Sequence, residues 1–406
     1  MKASKDKSKV LRGMSIEIYP TEEQKAYIEK CINASRYVYN WAVNKENIQY
    51  QLYELGQEEK SFIPKFDLYK EFGKHRNETE WLKEIPYHVL TNAIDTAVGA
   101  FENFFRNPNY FHKPTFKSKK DKKKSVKFRT DGNSFFIEGN KIKLEGMPGR
   151  FVESKWKSNL TRETNPKIYR ATVTISKSGK YHFSFCTYRD KKDDNYFIEK
   201  NIPESEVLGI DLNVKKRFAL SNGDSYMAPD LSKQNRRIAY LQTKINNDTS
   251  RLKEMERTNP NESPKKSNRM LKRQQLLAKT YEKKANKTES FIQETTKHII
   301  DMHPKAIVME DLGTKDMLSK HYKAIYVQDA NFYRCREVMQ YKCEEYGIPF
   351  MLAPKGYPST QICSCCGERK EEKLCSYRTF VCRKCGNRMD RDLNAAINLS
   401  HLYQAN

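Results

Sequence analysis

Six of the chain's ten cysteines lie between residues 363 and 385. Four of them form two Cys-x2-Cys pairs with fifteen residues between the pairs, and a glycine follows each pair: Cys363, Cys366, Cys382 and Cys385. Four thiolates at this spacing close the tetrahedral shell of a structural zinc ion, and the glycines suit turns with positive φ. The pattern therefore predicts a zinc ribbon and leaves Cys365 and Cys375 without a metal-binding role.

Three acidic residues stand at the ends of predicted elements that are far apart in sequence. Asp211 follows the apolar run of LGIDLN, Glu310 follows that of AIVMED, and Asp392 falls in the first helical turn of DRDLNAAINL. Asp211 alone could form a turn and Asp392 alone could cap a helix, but no propensity explains an acid directly after AIVM. Mg²⁺ prefers such carboxylate oxygens, and two ions about 3.5–4 Å apart can hold both sides of a phosphodiester. We therefore predict a catalytic site with two Mg²⁺ ions at these three residues.

The charge of the chain points to a polyanionic partner. Lysine and arginine number 75 against 51 acids, which gives a net charge of +24. Two segments, 113–129 and 265–287, each contain nine basic residues and one acid. A soluble chain with this excess usually binds nucleic acid through phosphates. The residues predicted to bind nucleic acid are Lys117, Lys119, Lys120, Lys122, Lys123, Lys124, Lys265, Lys266, Arg269, Lys272 and Arg273.

The N-terminal half reads as a β-rich unit that a helical segment interrupts. A short strand ends at Pro20, and Thr21 with Gln24 three residues later has the pattern of a capping box. Amphipathic helices are expected over 21–108. Alternating stretches over 109–203 predict strands of a β-barrel or sandwich, including a hairpin with its turn at Ser178-Gly179.

The C-terminal half alternates buried strands with helices, as α/β folds do. Strands are predicted at LGIDL, AIVM and IPFML, with two long helices at 231–257 and 265–300. Apolar residues at coiled-coil-like spacing predict a seam between these helices: Ile238, Leu241, Ile245, Leu252 and Met255. The expected segments are 204–358, the zinc ribbon 359–388 and a last segment 389–406.

Membrane and secretory classes are excluded by the sequence pattern. No apolar run approaches the roughly 18 residues of a membrane span, and the N-terminus has no apolar core of a signal peptide. The four scattered cysteines are typical of reduced thiols in a cytosolic protein. We therefore expect a cytosolic protein.

The order GIDLN, IVMEDL, STQICSCCG, FVCRKCG and DRDLNAAINL resembles the TnpB family, the transposon-encoded RNA-guided DNA nucleases, and the related compact type V CRISPR effectors. The resemblance implies a RuvC nuclease domain with an RNase H-like fold, interrupted by a helical hairpin and a zinc ribbon. It also implies a preceding β-barrel wedge domain (1–20 and 109–203) with a helical recognition insert (21–108). It assigns the metal-binding roles to Asp211, Glu310 and Asp392, with Asp390 as an alternative third ligand. The exit strand of the ribbon would then position the last acid.

The function that this resemblance implies is Mg²⁺-dependent cleavage of double-stranded DNA paired to a guide RNA next to a short flanking motif, by a monomer. Three alternatives stay open. A nuclease-inactive RNA-guided repressor would have lost one acid, and a transposase-type strand transferase would need paired binding of DNA ends. A plain zinc-ribbon binding module would not need about 200 residues of α/β frame.

Overall fold

The structure, a computed structural model, describes residues 8–120, 124–130, 135–155, 168–192, 194–259, 264–312, 324–371 and 378–404. The chain divides into two compact units. One is Leu11–Arg189, and the other combines Met1–Val10 with Asp190–Asn406. No helix in the described ranges is long and apolar enough to cross a membrane.

The first unit contains four helices over the segment predicted to be helical. They are α1 (Glu22–Glu54), α2 (Lys65–Glu78), α3 (Glu80–Lys83) and α4 (Tyr87–Arg106). The predicted capping box is confirmed, because the Thr21 side chain accepts the N–H of Gln24 while the Gln24 side chain accepts the N–H of Thr21. Buried apolar residues at helical spacing on α1, such as Ile28 and Val38, belong to the same core as Leu90 and Ile94 of α4. This packing fixes the helices to one another.

A seven-stranded sheet completes the first unit, in the order β2-β6-β7-β1-β5-β4-β3. Its strands are β1 (Lys9–Tyr19), β2 (Lys124–Phe128), β3 (Phe136–Glu138), β4 (Lys141–Lys143), β5 (Phe151–Ser154), β6 (Ile168–Ile175) and β7 (Tyr181–Asp190). The predicted hairpin at Ser178-Gly179 is confirmed, since β6 pairs antiparallel with β7 and Gly179 has φ of 87°. The first strand, expected from the sequence near residues 14–19, begins earlier, at Lys9. Closure of the sheet into a barrel stays a prediction, because β2 and β3 stand at its two ends over the described residues.

The second unit is built on a five-stranded mixed sheet in the order β10-β9-β8-β11-β12. Its strands are β8 (Leu208–Leu212), β9 (Lys216–Leu220), β10 (Ser225–Met227), β11 (Ile307–Met309) and β12 (Phe350–Leu352). The central strand β8 pairs antiparallel with β9 and parallel with β11, and every residue of β8 and β11 is buried. Burial on both faces explains why these strands read as continuous apolar runs.

The helices of the second unit are α5 (Asp194–Glu199), α6 (Ser232–Thr258), α7 (Asn268–Asp301), α8 (Ala324–Ala330), α9 (Phe332–Tyr346) and α10 (Arg391–Gln404). Helices α6 and α7 form the predicted hairpin. Among the five predicted seam residues, Ile238 and Leu241 are buried and Ile245 and Leu252 are partly buried, whereas Met255 is 59% exposed. The prediction that the seam continues to Met255 is therefore wrong.

Two short strands, β13 (Thr379–Val381) and β14 (Arg388–Asp390), form the sheet of the cysteine-rich segment. Strand β14 runs directly into α10, whose first residue is Arg391. Asp392 therefore lies two residues after the last strand of the cysteine-rich segment, as expected from the sequence.

Candidate metal centres and nucleic-acid surfaces

Asp211 and Glu310 lie on neighbouring parallel strands. Ile210 of β8 is in register with Met309 of β11, so Glu310, one residue past β11, comes beside Asp211. Neighbouring strands lie about 4.8 Å apart, which brings the two carboxylates close together. Asp211 is 4% exposed and Glu310 is half-buried.

Asp392 reaches the same region because α10 packs directly on β8. Gly209, two residues before Asp211, makes this possible. A Cβ at position 209 would lie 1.9 Å from the backbone oxygen of Ala396 and 2.5 Å from the backbone nitrogen of Ser400. Glycine is therefore required for the close approach of helix and strand. Asp392, in the first turn of α10, is 2% exposed.

Burial and neighbouring negative charge act together on Asp211. Burial, together with the negative charges of Glu310 and Asp392, raises the pKa of Asp211 to about 7. Burial also raises the pKa of Glu310. Like charges held together away from water are costly unless a cation neutralises them. The electrostatics are those of a cation site.

Basic and amide side chains surround two of these carboxylates. Asn213 Nδ2 donates to Asp211 Oδ2 at 2.6 Å. Arg391 Nη2 donates to Asp392 Oδ1 at 3.3 Å, and Arg378 Nη1 lies 3.5 Å from Asp392 Oδ2. None of these three partners was predicted from the sequence. The only signal for Asn213 and Arg391 is that each stands within two residues of a predicted ligand.

The donor set fits magnesium, which favours carboxylate oxygens. The oxygens of the three acids do not all lie within 4.8 Å of one another, in contrast to the cysteine ligands described below. The three predicted acids therefore lie near one another but do not form one compact ligand group.

Asp390, the alternative third ligand, has a different environment. Its Oδ1 accepts the N–H groups of Asp392 and Leu393, at 2.9 and 3.2 Å, which makes it a cap of α10. Its Oδ2 accepts from Lys216 Nζ at 2.8 Å. These interactions lower the pKa of Asp390, although burial opposes them. Both oxygens of Asp390 are thus occupied, but the two oxygens of Asp392 also have arginine partners, so hydrogen bonding does not separate the two acids. Asp392 is favoured because its charge, together with that of Glu310, acts on Asp211.

The four predicted zinc ligands converge. Their sulfur atoms all lie within 4.8 Å of one another, with 3.6 Å between Cys363 and Cys385 and 3.6 Å between Cys366 and Cys382. A tetrahedral ion with Zn–S bonds of about 2.3 Å needs sulfur atoms about 3.8 Å apart. The site therefore fits zinc. Cys365 is exposed and outside this group, and Cys375 lies outside the described residues.

The two halves of the zinc site repeat the same turn. The N–H of Gly367 donates to the Cys363 carbonyl at 2.9 Å, and the N–H of Gly386 donates to the Cys382 carbonyl at 3.1 Å. The φ angles of the glycines are 73° and 72°, which confirms the predicted left-handed turns. In each half the glycine fixes the direction of a Cys-x2-Cys pair.

Two buried asparagines join the ribbon to α10. Asn394 Oδ1 accepts the N–H of Ser364 at 2.9 Å, and Asn394 Nδ2 donates to the Ile362 carbonyl at 2.7 Å. One turn later, Asn398 Nδ2 also donates to the Ile362 carbonyl at 2.7 Å. The segment DRDLNAAIN thus supplies an acid to one site, alanines to the β8 contact and asparagines to the ribbon. These hydrogen bonds attach the cysteine ribbon to the helix that carries Asp392.

Part of the first basic segment lines a groove in the unit Leu11–Arg189. The groove has a volume of 580 Å³ and runs between α1, α4, residues 117–119 and β2. Its charged lining residues are Glu29, Arg36, Lys117, Lys119, Lys124 and Lys127. Lys117 is held in place, because its backbone exchanges two hydrogen bonds with the Asn40 side chain and its Nζ lies 3.6 Å from the Tyr39 ring centroid. Lys120 is exposed, and Lys122 and Lys123 lie outside the described residues.

The second basic segment forms an exposed stripe along α7. Arg269, Lys272, Lys279, Lys283 and Lys287 follow one another at helical spacings, and all are exposed. Lys265 and Lys266, just before the helix, are exposed as well. Two basic residues of the segment are instead paired inside the unit: Arg273 with Asp248 and Lys284 with Asp329. Binding of nucleic acid by the stripe stays a prediction.

Comparison with known proteins bears on both sites. The family model described as "Cas12f1-like, TNB domain" matches residues 332–399, which contain the zinc ribbon and Asp392. A "Helix-turn-helix domain" model matches residues 8–54. In the structure these residues form one strand and one uninterrupted helix of 33 residues, so the helix-turn-helix description does not apply to their fold here.

Two relatives match almost the whole chain, and both are named "Putative RNA-guided DNA endonuclease". One, from Streptomyces pristinaespiralis, is 24% identical over 96% of this chain and 89% of its own length. The other, InsQ from Escherichia coli K12, is 24% identical over 96% of this chain and 92% of its own length. The predicted resemblance to TnpB-type proteins and to Cas12f1 is confirmed by these matches.

The fold agrees with that of one solved structure. The cryo-EM structure of a Cas12f1–sgRNA–target DNA complex superposes with a TM-score of 0.54 at 12% identity. The match covers 97% of this chain and 99% of that one. The chain therefore shares the mixed α/β fold of a Cas12f1 effector.

Proposed function

We propose that the protein is an RNA-guided, Mg²⁺-dependent DNA endonuclease that hydrolyses phosphodiesters of target DNA. The observation that supports this most is the cluster of Asp211, Glu310 and Asp392. Three acids from distant parts of the chain meet at β8, β11 and α10, in a strongly basic protein. The names of the relatives support the guide RNA and the DNA substrate. Such a protein acts on DNA in the prokaryotic cytoplasm, at the nucleoid.

We further propose that the second unit is a RuvC-type nuclease domain with an RNase H-like sheet. Asp211, Glu310 and Asp392 hold the Mg²⁺ ions, and the cysteine ribbon holds zinc. When bound, Mg²⁺ supplies Lewis acidity that activates water and neutralises charge on the phosphate. The protein contributes carboxylates that are already held in place, by Asn213 at Asp211 and by Arg391 and Arg378 at Asp392.

The basic surfaces supply the contacts to nucleic acid in this proposal. The α7 stripe presents charges along one helix face, as a phosphate backbone requires. The groove combines lysines with polar side chains, including Asn33, Asn92 and Thr96, which can hydrogen-bond to bases or sugars. We assign to the groove the role of holding the nucleic acid next to the flanking motif. Sequence choice is left to base pairing with the guide.

The cleavage test uses the full chain, purified together with the RNA that it binds in the cell. This RNA is sequenced, and its sequence defines the DNA target. A plasmid with the matching target and a library of flanking sequences is then incubated with Mg²⁺. We expect linear product only from plasmids with the target and one flanking motif. Guided binding without cutting would favour the repressor, and joined rather than hydrolysed DNA ends would favour the strand transferase.

The catalytic residues are tested by Asp211→Ala, Glu310→Ala and Asp392→Ala. Each variant loses one ligand but keeps the basic surfaces, so we expect loss of cleavage with guided DNA binding retained. A variant that cuts at the wild-type rate would remove its residue from the catalytic set.

The nucleic-acid surface is tested by changing Lys272, Lys279 and Lys283 of the stripe to glutamine. Each phosphate contact that is lost reduces the slope of log affinity against log salt by roughly 0.7–0.9, so we expect a slope smaller by about two to three units. A control variant changes Lys305 and Lys355, which are exposed elsewhere in the same unit. An unchanged slope in the triple variant would exclude the stripe from phosphate binding.

A further inference from the structure

A buried arginine lies next to the acidic site without contacting it. Arg217 of β9 is 2% exposed, and its guanidinium donates to backbone carbonyls on two separate segments. Nε and Nη2 donate to Asn213 and Val214, at 3.1 and 3.3 Å. Nη1 donates to Ala330 and lies 3.4 Å from the Asp329 carbonyl. Arg217 therefore ties the β8–β9 turn to the C-terminal end of α8.

Burying this charge costs free energy. Desolvation lowers the pKa of Arg217, and an apolar side chain of similar volume would pack here without that penalty. The planar guanidinium offers five donors in a fixed geometry, which an apolar residue or a lysine cannot replace. In return, the buried guanidinium fixes the backbone of the β8–β9 turn.

The turn that Arg217 fixes is the one that contacts Asp211. The N–H of Asn213 donates to the Arg217 carbonyl at 3.3 Å, while Arg217 Nε donates back to the Asn213 carbonyl. The backbone of Asn213 is therefore held in both directions. Its side-chain amide is left to donate to Asp211 Oδ2 at 2.6 Å. A continuous series of hydrogen bonds connects Arg217 to the carboxylate.

We propose that Asn213 and Arg217 are positioning residues for Asp211. Asn213 fixes the rotation of the carboxylate by occupying Oδ2, which leaves Oδ1 as the oxygen for a divalent cation. Arg217 acts through Asn213 by fixing the turn. The proposal rests on the proposed function, since it assumes that Asp211 binds the cation.

The first test is Asn213→Ala, because this half-buried side chain can be removed without disturbing the core. Mn²⁺ is titrated calorimetrically into the purified protein, with Asp211→Ala as the blank for other sites. Loss of an outer hydrogen bond to a ligand costs roughly 10–100-fold in metal affinity. We expect this loss with an unchanged melting temperature of the cation-free protein. Lys215→Gln, an exposed change in the same turn, is the control and should keep wild-type affinity.

The second test is a double-mutant cycle with Arg217→Lys. If Arg217 acts through Asn213, Arg217→Lys should weaken Mn²⁺ binding in the wild type and add nothing in the Asn213→Ala background. Arg217→Lys is also expected to lower the melting temperature. The cycle separates that structural effect from positioning, because instability alone would weaken binding equally in both backgrounds.

The outcomes distinguish this proposal from the proposed function. Wild-type Mn²⁺ affinity in Asn213→Ala, with normal DNA cleavage by the wild type, would overturn the positioning role and leave the nuclease intact. Mn²⁺ binding that depends on Asp211 and Asn213, in a protein that cuts no DNA, would support positioning and refute the nuclease. Mn²⁺ binding that does not depend on Asp211 would overturn the positioning proposal.

Discussion

Gly209→Ala is the substitution that most directly tests how the acidic site is assembled. The added Cβ would lie 1.9 Å from the Ala396 oxygen, whereas real Cβ contacts are essentially never shorter than 3.0 Å. Because that neighbour is helix backbone rather than a flexible side chain, α10 must retreat from β8 by about 1.1 Å. Asp392 is in the first turn of that helix and moves with it. Asp211, on the strand, stays where it is.

Two magnitudes follow from this displacement. Overpacking of a filled interior typically costs about 1–3 kcal/mol, so the variant should fold with a lower free energy of unfolding. Misplacing a catalytic group by about 1 Å can cost roughly 100-fold in rate. We expect cleavage of guided target DNA to fall by about two orders of magnitude, while guided binding remains near wild type because the basic surfaces are unchanged.

The assay compares single-turnover cleavage, DNA binding and thermal unfolding for Gly209→Ala and a matched control. Gly99→Ala on α4 is the control, because no atom other than the neighbouring backbone of its own helix lies within 4 Å of its added Cβ. It should keep full activity and gain up to about 1 kcal/mol from better helix propensity. Wild-type cleavage by Gly209→Ala would refute the argument that close packing of α10 on β8 sets the distance between the acids.

Three further predictions concern single groups. Asp390→Asn keeps a good helix cap and should retain at least a tenth of wild-type cleavage, whereas Asp392→Asn should abolish it; the reverse result in a cleavage assay would make Asp390 the ligand. Cys382→Ser should release zinc in metal analysis and lower the melting temperature, whereas Cys365→Ser should retain the full zinc content. Burial raises the pKa of Glu46 on α1 to about 7, so folding takes up a proton and the stability contribution of Glu46 falls as pH rises from about 4.5 through 7. Glu46→Gln should therefore match wild type near pH 5 and exceed it by up to about 3 kcal/mol at pH 8.5, and equal pH profiles in thermal unfolding would contradict the assignment.

The sequence alone determined the features that depend on short-range spacing. Each Cys-x2-Cys pair with its following glycine, and the capping box at Thr21, involves residues within a few positions of one another, so local backbone geometry dictates them. The two pairs could be joined into one site because their spacing repeats. The acids could be found as well, because a carboxylate directly after a buried apolar run contradicts ordinary strand composition. The family motifs then supplied a reason to group them.

Only the tertiary structure decided which residues support the acids and which charges are free. In the sequence Gly209 looks like an ordinary strand residue, and only the packing of α10 on β8 shows why it must be glycine. Arg217 looks like a surface charge, and only the structure shows that it is buried between the β8–β9 turn and the end of α8. Arg273 belongs to the basic segment in sequence, yet it pairs with Asp248 of the facing helix. Met255 fits the periodicity of the seam but lies beyond the part of α6 that is buried. Each of these outcomes depends on contacts between residues far apart in sequence, and periodicity within one element contains no information about what the other element places against it.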